Sequence, residues 1–219
     1  PEFDRDRDEV IQRARGKGIE AFVNIGSSLE GTKRSLELAR QYDFIYATAG
    51  IHPHEADTFD EKTENSFREL LKQGGIAAVG EIGLDYFKNY STQENQRKLF
   101  QALLRLAREF GLPLVIHSRS AEKETLKMLK EASVSKAVVH CFSGGQDFLE
   151  ECLRLGFFIS FTCNITYKKA DDLRGLVKSA PLDRIMLETD APYLPPLILR
   201  GRRNEPLYVR DLAEEVARV

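Results

Sequence analysis

Seven short apolar runs recur along this 219-residue chain, and amphipathic segments separate them. The runs lie at residues 21–26, 44–50, 76–84, 112–117, 136–142, 156–162 and 184–189. Most of them are apolar throughout rather than alternating between apolar and polar residues, which is typical of parallel strands buried on both faces. Helix–strand alternation without a linker between domains therefore predicts a single α/β domain covering residues 1–219.

The clearest amphipathic segment predicts a long helix over residues 92–111. Its apolar residues recur at helical spacing and are Leu99, Leu103, Leu106 and Phe110. Gly111 and Pro113 then end the helix, since glycine is common at helix C-termini and proline cannot continue a helix. Three further segments repeat this pattern, at residues 6–18, 122–132 and 145–156.

Two α/β architectures accommodate such a chain, a TIM-like (β/α)8 barrel and a doubly wound open sheet. The barrel is favoured, with seven of its eight strands visible. Because the chain opens on a helical segment and a barrel runs to about 250 residues, we expect the eighth strand before Pro1 and a domain trimmed at both ends. The doubly wound sheet predicts a glycine-rich phosphate loop near the N-terminus, and NIGSSLEGTK resembles one only faintly.

The composition limits the partners and the compartment. A formal net charge of −2 gives no overall attraction for nucleic acid or membranes, so a polyanion would have to be bound locally, by a metal ion or a few basic side chains. Three cysteines without C-x-x-C spacing favour a reducing cytosol. Since no apolar stretch approaches about 18 residues and no signal peptide is visible, we expect a cytoplasmic protein without membrane segments or an obligate protein partner.

All four histidines and two of the acids occur at apolar runs, close to where each run ends. They are His52, His54, His117, His140, Glu81 and Asp190. Because the carboxyl ends of parallel strands meet at one rim of a barrel, these side chains are expected to converge. Imidazole and carboxylate are ligands of Zn, Mn, Fe and Mg, and two ions bridged by a carboxylate can activate water for phosphodiester hydrolysis.

Each of these residues also has a purely structural interpretation. A single histidine after an apolar run is often only a hydrogen-bonding group, although four in equivalent positions favour function. Glu81 stands inside an apolar run, where an unpaired charge is costly, and this favours function more strongly. Asp190 could simply cap a turn. Arg119, just past His117, is as consistent with an ion pair as with a phosphate contact.

Basic residues follow the last two apolar runs. Lys168 and Lys169 follow the run at 156–162, and three arginines that include Arg203 follow the run at 184–189. Such charges usually lie on a solvated face. Barrels, however, often bind phosphate in the loops after their last strands, and arginine suits bidentate phosphate contacts. Anion binding by these loops is therefore a competing hypothesis.

Seven segments together resemble the signature of the TatD family of metal-dependent hydrolases, in the family's order and spacing. They are AGIHPHEA, VGEIGLDY, LPLVIHSR, VVHCFSG, ISFTCNITYKKA, LETDAPYLPP and RGRRNEP. The resemblance covers essentially the whole chain and implies a TIM-like barrel that binds divalent metal, one ion or two, with Zn, Mg and Mn as candidates. It also implies deoxyribonuclease activity on DNA, mainly exonucleolytic, while some family members are D-aminoacyl-tRNA deacylases instead.

The family pattern implies a role for each candidate residue. Glu81 is implied to be a metal ligand that bridges two ions, and His117 and His140 to bind one of them. Asp190 is implied to bind the other ion or to be the base for the attacking water, so that Glu81 and Asp190 are the catalytic residues. The implied substrate contacts are His52, His54, Arg119, Lys168 and Arg203.

One segment of the family pattern does not occur within residues 1–219. The family's first strand ends in an Asp-x-His-x-His type motif that supplies two histidine ligands, and nothing of that kind precedes Phe3. We expect the motif before Pro1, because loss of one strand would expose the edges of the barrel. The alternatives are a truncated gene product and a member that lost the strand. A catalytically impaired relic that binds metal or nucleic acid is therefore a third hypothesis, beside the nuclease and the deacylase.

Overall fold

The computed structural model describes residues 2–219, in which seven strands alternate with eight α-helices. The strands are β1 Phe22–Asn24, β2 Ile45–Ala49, β3 Ile76–Asp85, β4 Leu114–Arg119, β5 Ala137–Val139, β6 Phe158–Phe161 and β7 Ile185–Leu187. The helices are α1 Arg7–Gly16, α2 Leu29–Gln41, α3 Glu61–Lys72, α4 Gln93–Phe110, α5 Glu122–Glu131, α6 Gln146–Arg154, α7 Asp171–Ser179 and α8 Val209–Arg218.

The larger of two compact units comprises residues 21–140 and 154–157. Its strands β1 to β5 pair in parallel with their neighbours in chain order. The register of β3 on β4 sets Gly83 opposite His117, and Asp85 opposite Arg119. A doubly wound sheet reverses its strand order part-way, and the described strands β1 to β5 contain no such reversal.

The smaller unit comprises the chain up to Glu20 together with residues 141–153 and 158–219. In it β6 pairs in parallel with β7, with Phe161 opposite Leu187. Helices α1, α7 and α8 lie entirely within this unit. The parallel pairing within each unit confirms the prediction drawn from the continuous apolar runs.

Helix α4 follows the predicted helix closely. Thr92 caps its start, because the Thr92 side chain accepts a hydrogen bond from the Asn95 N–H at 3.3 Å. Gly111 ends it in the left-handed conformation with φ 66°, which favours glycine. The side chains of its inner face are fully buried or nearly so, and they include Leu99, Phe100, Leu103 and Leu106. This face packs on β3, the strand that carries Glu81.

Several strands are shorter than the apolar runs that predicted them. The run at 136–142 contains only β5, and the chain leaves the strand at His140, whose N–H still donates to the Ile116 carbonyl at 2.9 Å. β3 instead extends one residue past its run and ends at Asp85. These shifts matter because they decide which polar side chains stand at the carboxyl ends of the strands. Within residues 2–219, no helix combines the length and the apolar character needed to cross a bilayer.

Candidate metal centre

One carboxylate oxygen in the larger unit is approached by three imidazoles. Glu81 Oε1 lies 2.8 Å from His117 Nδ1, 3.6 Å from His140 Nε2 and 3.7 Å from His52 Nε2. The four side chains come from β3, from β4 and from the segments just after β5 and β2. All are largely buried, and the Glu81 side chain is only 13% exposed. The predicted convergence of residues at strand ends is therefore observed for these four.

Glycines on both sides of Glu81 let β3 approach β4 closely enough to form this cluster. A Cβ added to Gly80 would clash with Val115, and one added to Gly83 would clash with the His117 backbone. Gly83 also has φ 144°, a conformation that side chains disfavour. The motif G-E-I-G thus does more than supply an acid, because it brings the backbone of β4, and with it His117, against Glu81.

His117 lies between two carboxylates. Its Nδ1 faces Glu81 at 2.8 Å, and its Nε2 faces Asp85 Oδ2 at 3.3 Å. Burial alone would lower the pKa of His117, but its hydrogen bonds to Asp85 and Glu81 raise that pKa to about 8. Burial would likewise raise the pKa of Glu81, yet the hydrogen bond from His117 and the neighbouring imidazoles hold it at about 2. Glu81 is therefore an ionised carboxylate inside the protein.

Asp85 also belongs to the centre, although the sequence analysis did not predict it. Its carboxylate is 1% exposed, and Oδ2 lies 3.0 Å from His54 Nε2 and 3.3 Å from His117 Nε2. Burial would raise its pKa, but hydrogen bonds from His117, from the Lys88 N–H and from His54 hold that pKa well below its ordinary value. The sequence does contain a signal, since Asp85 follows Glu81 by four residues and alternate residues of a strand share a face.

His52 and His54 follow β2 and differ in what their rings contact. His52 Nδ1 accepts a hydrogen bond from the His54 N–H at 3.2 Å. Burial lowers the pKa of His52 to about 4, so its ring is neutral near pH 7. A neutral imidazole that accepts at Nδ1 carries its proton on Nε2, and Nε2 is the nitrogen that faces Glu81. His52 is therefore a hydrogen-bond donor toward the centre, while the His54 ring bonds to Asp85.

The donor set fits a divalent metal ion. One ligand atom each from His52, Glu81 and His117 lie within 4.8 Å of one another. An ionised carboxylate surrounded by imidazoles is a mixed N/O set of the kind that Zn, Mn and Fe prefer. In the cluster itself, the buried Glu81 carboxylate is compensated by the His117 imidazole at 2.8 Å, whose pKa is raised to about 8.

Comparison with known proteins identifies the family. The sequence profile described as TatD related DNase matches residues 1–219. The chain belongs to this family. It is 38% identical over 218 residues to an uncharacterized metal-dependent hydrolase, YabD, of Bacillus subtilis (strain 168), covering 99% of this chain and 86% of the relative. It is 39% identical over 224 residues to the 3′-5′ ssDNA/RNA exonuclease TatD of Erwinia tasmaniensis, with the same coverage.

Solved structures confirm the fold of this TatD-family chain. The crystal structure of YJJV, a TatD homologue from Escherichia coli K12, matches it with a TM-score of 0.94 and 31% identity. The match covers 100% of this chain and 85% of the homologue. The predicted TIM-like α/β fold and the resemblance to the TatD family are thereby confirmed, and the protein is a hydrolase of that family.

In the TatD-family chain, Arg119 belongs to the larger unit and lies at the edge of the metal centre. The Arg119 guanidinium lies over the Phe87 ring, with its central carbon 4.1 Å from the ring centroid. The Phe87 N–H in turn donates to Asp85 Oδ1 at 3.0 Å. The larger unit thus brings six of the predicted residues into one neighbourhood, and they are His52, His54, Glu81, His117, His140 and Arg119. Their individual roles stay predictions.

The remaining predicted residues lie in the smaller unit. Asp190 follows β7 with φ 55°, and its carbonyl accepts the Tyr193 N–H at 2.8 Å. Lys168 is exposed in the loop after β6. Arg203 is held by carboxylates, since it donates to Asp6 at 2.8 Å and to Glu205 at 3.1 Å. A phosphate contact by Arg203 would therefore compete with two ion pairs, and the predicted roles of these three residues remain untested.

Asn204, in the R-G-R-R-N-E-P segment, is a buried residue that sequence reasoning missed. Its side chain is 0% exposed and donates to the carbonyls of Thr189, Tyr193 and Leu194 at 2.7, 2.6 and 3.1 Å. One amide thus holds both ends of the loop that carries Asp190. This explains why an asparagine, whose NH2 group can serve several acceptors, stands there.

Replacing Asn204 with alanine is expected to leave those carbonyls without their buried donor. Each buried polar group left unsatisfied costs about 1–3 kcal/mol, so Asn204→Ala should lower the free energy of unfolding by at least that much in urea titrations. Asn65→Ala, at an exposed position of α3, is the matched control and should cause no loss. Equal stability of the two variants would contradict the anchoring role of Asn204.

Proposed function

We propose that this protein is a divalent-metal-dependent exonuclease that removes nucleotides from the 3′ end of single-stranded DNA or RNA. The observation that carries the proposal is the shared oxygen of Glu81, which three imidazoles approach within 3.7 Å. The direction and the single-stranded substrate come from the named activity of a relative that is 39% identical. The sequence analysis predicts deoxyribonuclease activity, and the named activity of this relative adds RNA to the proposed substrates.

Glu81, His117 and His140 are the residues that would hold the metal. We assign His140 as the third ligand, as the family pattern implies, because its Nε2 lies 3.6 Å from Glu81 Oε1, and we assign His52, whose Nδ1 accepts the His54 N–H, to the substrate. A divalent ion bound there supplies positive charge beside the phosphoryl oxygens and makes water a stronger acid at neutral pH. Zn, Mn and Mg are all compatible with these ligands, singly or as a bridged pair.

The other residues bind and orient the substrate in this proposal. His52 donates from Nε2 to a phosphate oxygen, a role that its tautomer and its low pKa support. Asp85 holds the His117 and His54 rings in place through its buried carboxylate. Asp190 accepts the proton of the attacking water, as the family pattern implies. Arg119, Lys168 and Arg203 are proposed phosphate contacts, of which Arg203 would first have to leave Asp6 and Glu205.

An end-labelled oligonucleotide assay tests the proposal. With a 5′ label, 3′-to-5′ digestion of a single strand gives a ladder of shortening products, whereas a 3′ label is released at once as mononucleotide. EDTA should abolish both results, and Mg²⁺, Mn²⁺ or Zn²⁺ should restore them. Early release of the 5′ label as mononucleotide would indicate digestion from the 5′ end and would contradict the proposed direction. If no product forms with any of these ions, the proposal is overturned.

The deacylase alternative remains a prediction without a specific supporting observation, because the same ligands would activate water for attack on an aminoacyl ester. Incubation of the metal-loaded protein with D-aminoacyl-tRNA, in parallel with the oligonucleotides, separates the two activities.

A further inference from the structure

The loop between β3 and α4, residues 86–91, exposes two aromatic rings beside the metal centre. The Phe87 side chain is 58% exposed and that of Tyr90 is 66% exposed. Single exposed apolar residues are common, but two large rings on one short loop form a patch of the kind that another molecule covers.

The backbone of loop 86–91 is fixed at both ends. Gln96 is 0% exposed, and its side chain accepts the Asp85 N–H at 2.8 Å and donates to the carbonyls of Asp85 and Ser91, both at 3.0 Å. Asp85 Oδ1 also accepts the N–H groups of Phe87 and Lys88, at 3.0 and 2.8 Å. The rings therefore stand on a preorganised loop, which lowers the entropic cost of binding.

The same contacts join the loop to the metal centre. Asp85 bonds to the loop through Oδ1 and to the rings of His54 and His117 through Oδ2. The Tyr90 ring stands edge-to-face on the His54 ring, with centroids 4.8 Å apart. The Tyr90 ring therefore contacts His54, whose own ring lies against that of His52, with centroids 4.2 Å apart.

Two cations flank the rings. The central carbon of the Arg119 guanidinium lies 4.1 Å from the Phe87 centroid, and Lys88 Nζ lies 5.9 and 5.8 Å from the centroids of Phe87 and Tyr90. Neither cation forms an ion pair with a carboxylate of residues 2–219. Aromatic faces bordered by uncompensated positive charge suit a ligand with flat rings, which stack through their faces, and an anionic backbone.

We propose that Phe87 and Tyr90 are a stacking platform for the bases of the single-stranded nucleic acid, with Lys88 and Arg119 contacting its phosphates. This inference rests on the proposed function, because it assigns the same substrate to a surface beside the same site. Stacking on aromatic rings tolerates every base, as an exonuclease that moves along a strand requires. A purely apolar protein partner is disfavoured by the two cations.

The test uses a single-stranded oligonucleotide with 2-aminopurine near its 3′ end, whose fluorescence is quenched by stacking. In EDTA, which prevents hydrolysis, the unaltered protein should quench the probe. Leucine keeps the apolar bulk of a ring but not its π face, so Phe87→Leu and Tyr90→Leu should each raise Kd about 5- to 100-fold. Tyr46→Leu, at a tyrosine that is 50% exposed on β2, is the matched control and should leave Kd unchanged.

The phosphate contacts of the cations are tested by the salt dependence of Kd in the same assay. If Lys88 contacts one phosphate, Lys88→Gln should reduce the slope of log Kd against log salt concentration by about 0.7. An unchanged slope would remove Lys88 from the proposed contacts.

Hydrolysis of a strand whose 3′-terminal nucleotides lack bases separates the platform from the chemistry. The leucine variants should lose kcat/KM on the normal strand and match the unaltered protein on the abasic strand. If they hydrolyse and bind normal strands as well as the unaltered protein does, the platform is overturned while the exonuclease stands. If probe quenching depends on both rings but no strand is hydrolysed, the platform stands and the proposed function fails.

Discussion

Glu81→Gln is expected to lower kcat/KM for single-stranded oligonucleotides by about 1,000-fold, which is the scale of losing a dominant electrostatic group in an active site. The substitution keeps the size of the side chain and removes the negative charge that three imidazoles approach. It also replaces an anionic ligand by a weak neutral one, so bound metal should be lost together with activity. Initial rates on a 5′-labelled strand measure the effect.

The matched control is Glu109→Gln on α4. That carboxylate is 46% exposed, its one ion pair within residues 2–219 is with Arg68, and an exposed pair contributes little. Glu109→Gln should retain full activity, and circular dichroism should establish that both variants fold. If folded Glu81→Gln hydrolyses DNA at the rate of the control, Glu81 is not at the reacting centre.

Asp85→Asn is expected to weaken metal binding by about 10- to 100-fold, the usual effect of removing a carboxylate that orients a ligating histidine. The substituted amide would retain an oxygen to accept the N–H groups of Phe87 and Lys88, so the loop should persist. The negative charge that faces His117 Nε2 and His54 Nε2 would be lost, and with it the orientation of the His117 ring. Activity as a function of metal concentration should reveal a higher requirement with a similar plateau.

Asp57→Asn is the matched control for Asp85. Asp57 is likewise an acid whose oxygen accepts hydrogen bonds, from the Thr92 N–H at 3.0 Å and the Asn95 side chain at 2.9 Å, but it is exposed and lies outside the cluster around Glu81. Its substitution should leave the metal requirement unchanged. If both variants required more metal for activity, the effect would be due to loop stability rather than to the metal centre.

Much of the fold was predictable because it depends on local patterns. Continuous apolar runs predicted parallel strands, and the helix at 92–111 followed from spacing and from Gly111. The convergence of Glu81, His117 and His140 was predictable as well, since parallel strands end at one rim.

Contacts between distant side chains were not predictable from those patterns. Asp85 looked like an ordinary strand-end residue, although its burial and its contact with His54, 31 positions away, decide its role. The ion pair of Arg203 with Asp6, 197 positions away, is a second contact that no local pattern indicates, and the phosphate contact of Arg203 stays a prediction. The exposure of Phe87 also contradicts the usual interior position of phenylalanine, because it depends on a loop that Gln96 fixes from another element.

Equilibrium dialysis tests most directly whether Glu81 and its imidazole neighbours form a metal centre. Chelator-stripped protein is dialysed against Zn²⁺ or Mn²⁺, and the bound metal is quantified for the unaltered protein and for Glu81→Gln. The unaltered protein is expected to bind at least about one ion per chain, and Glu81→Gln is expected to bind far less. Equal metal content in the two proteins would contradict this expectation.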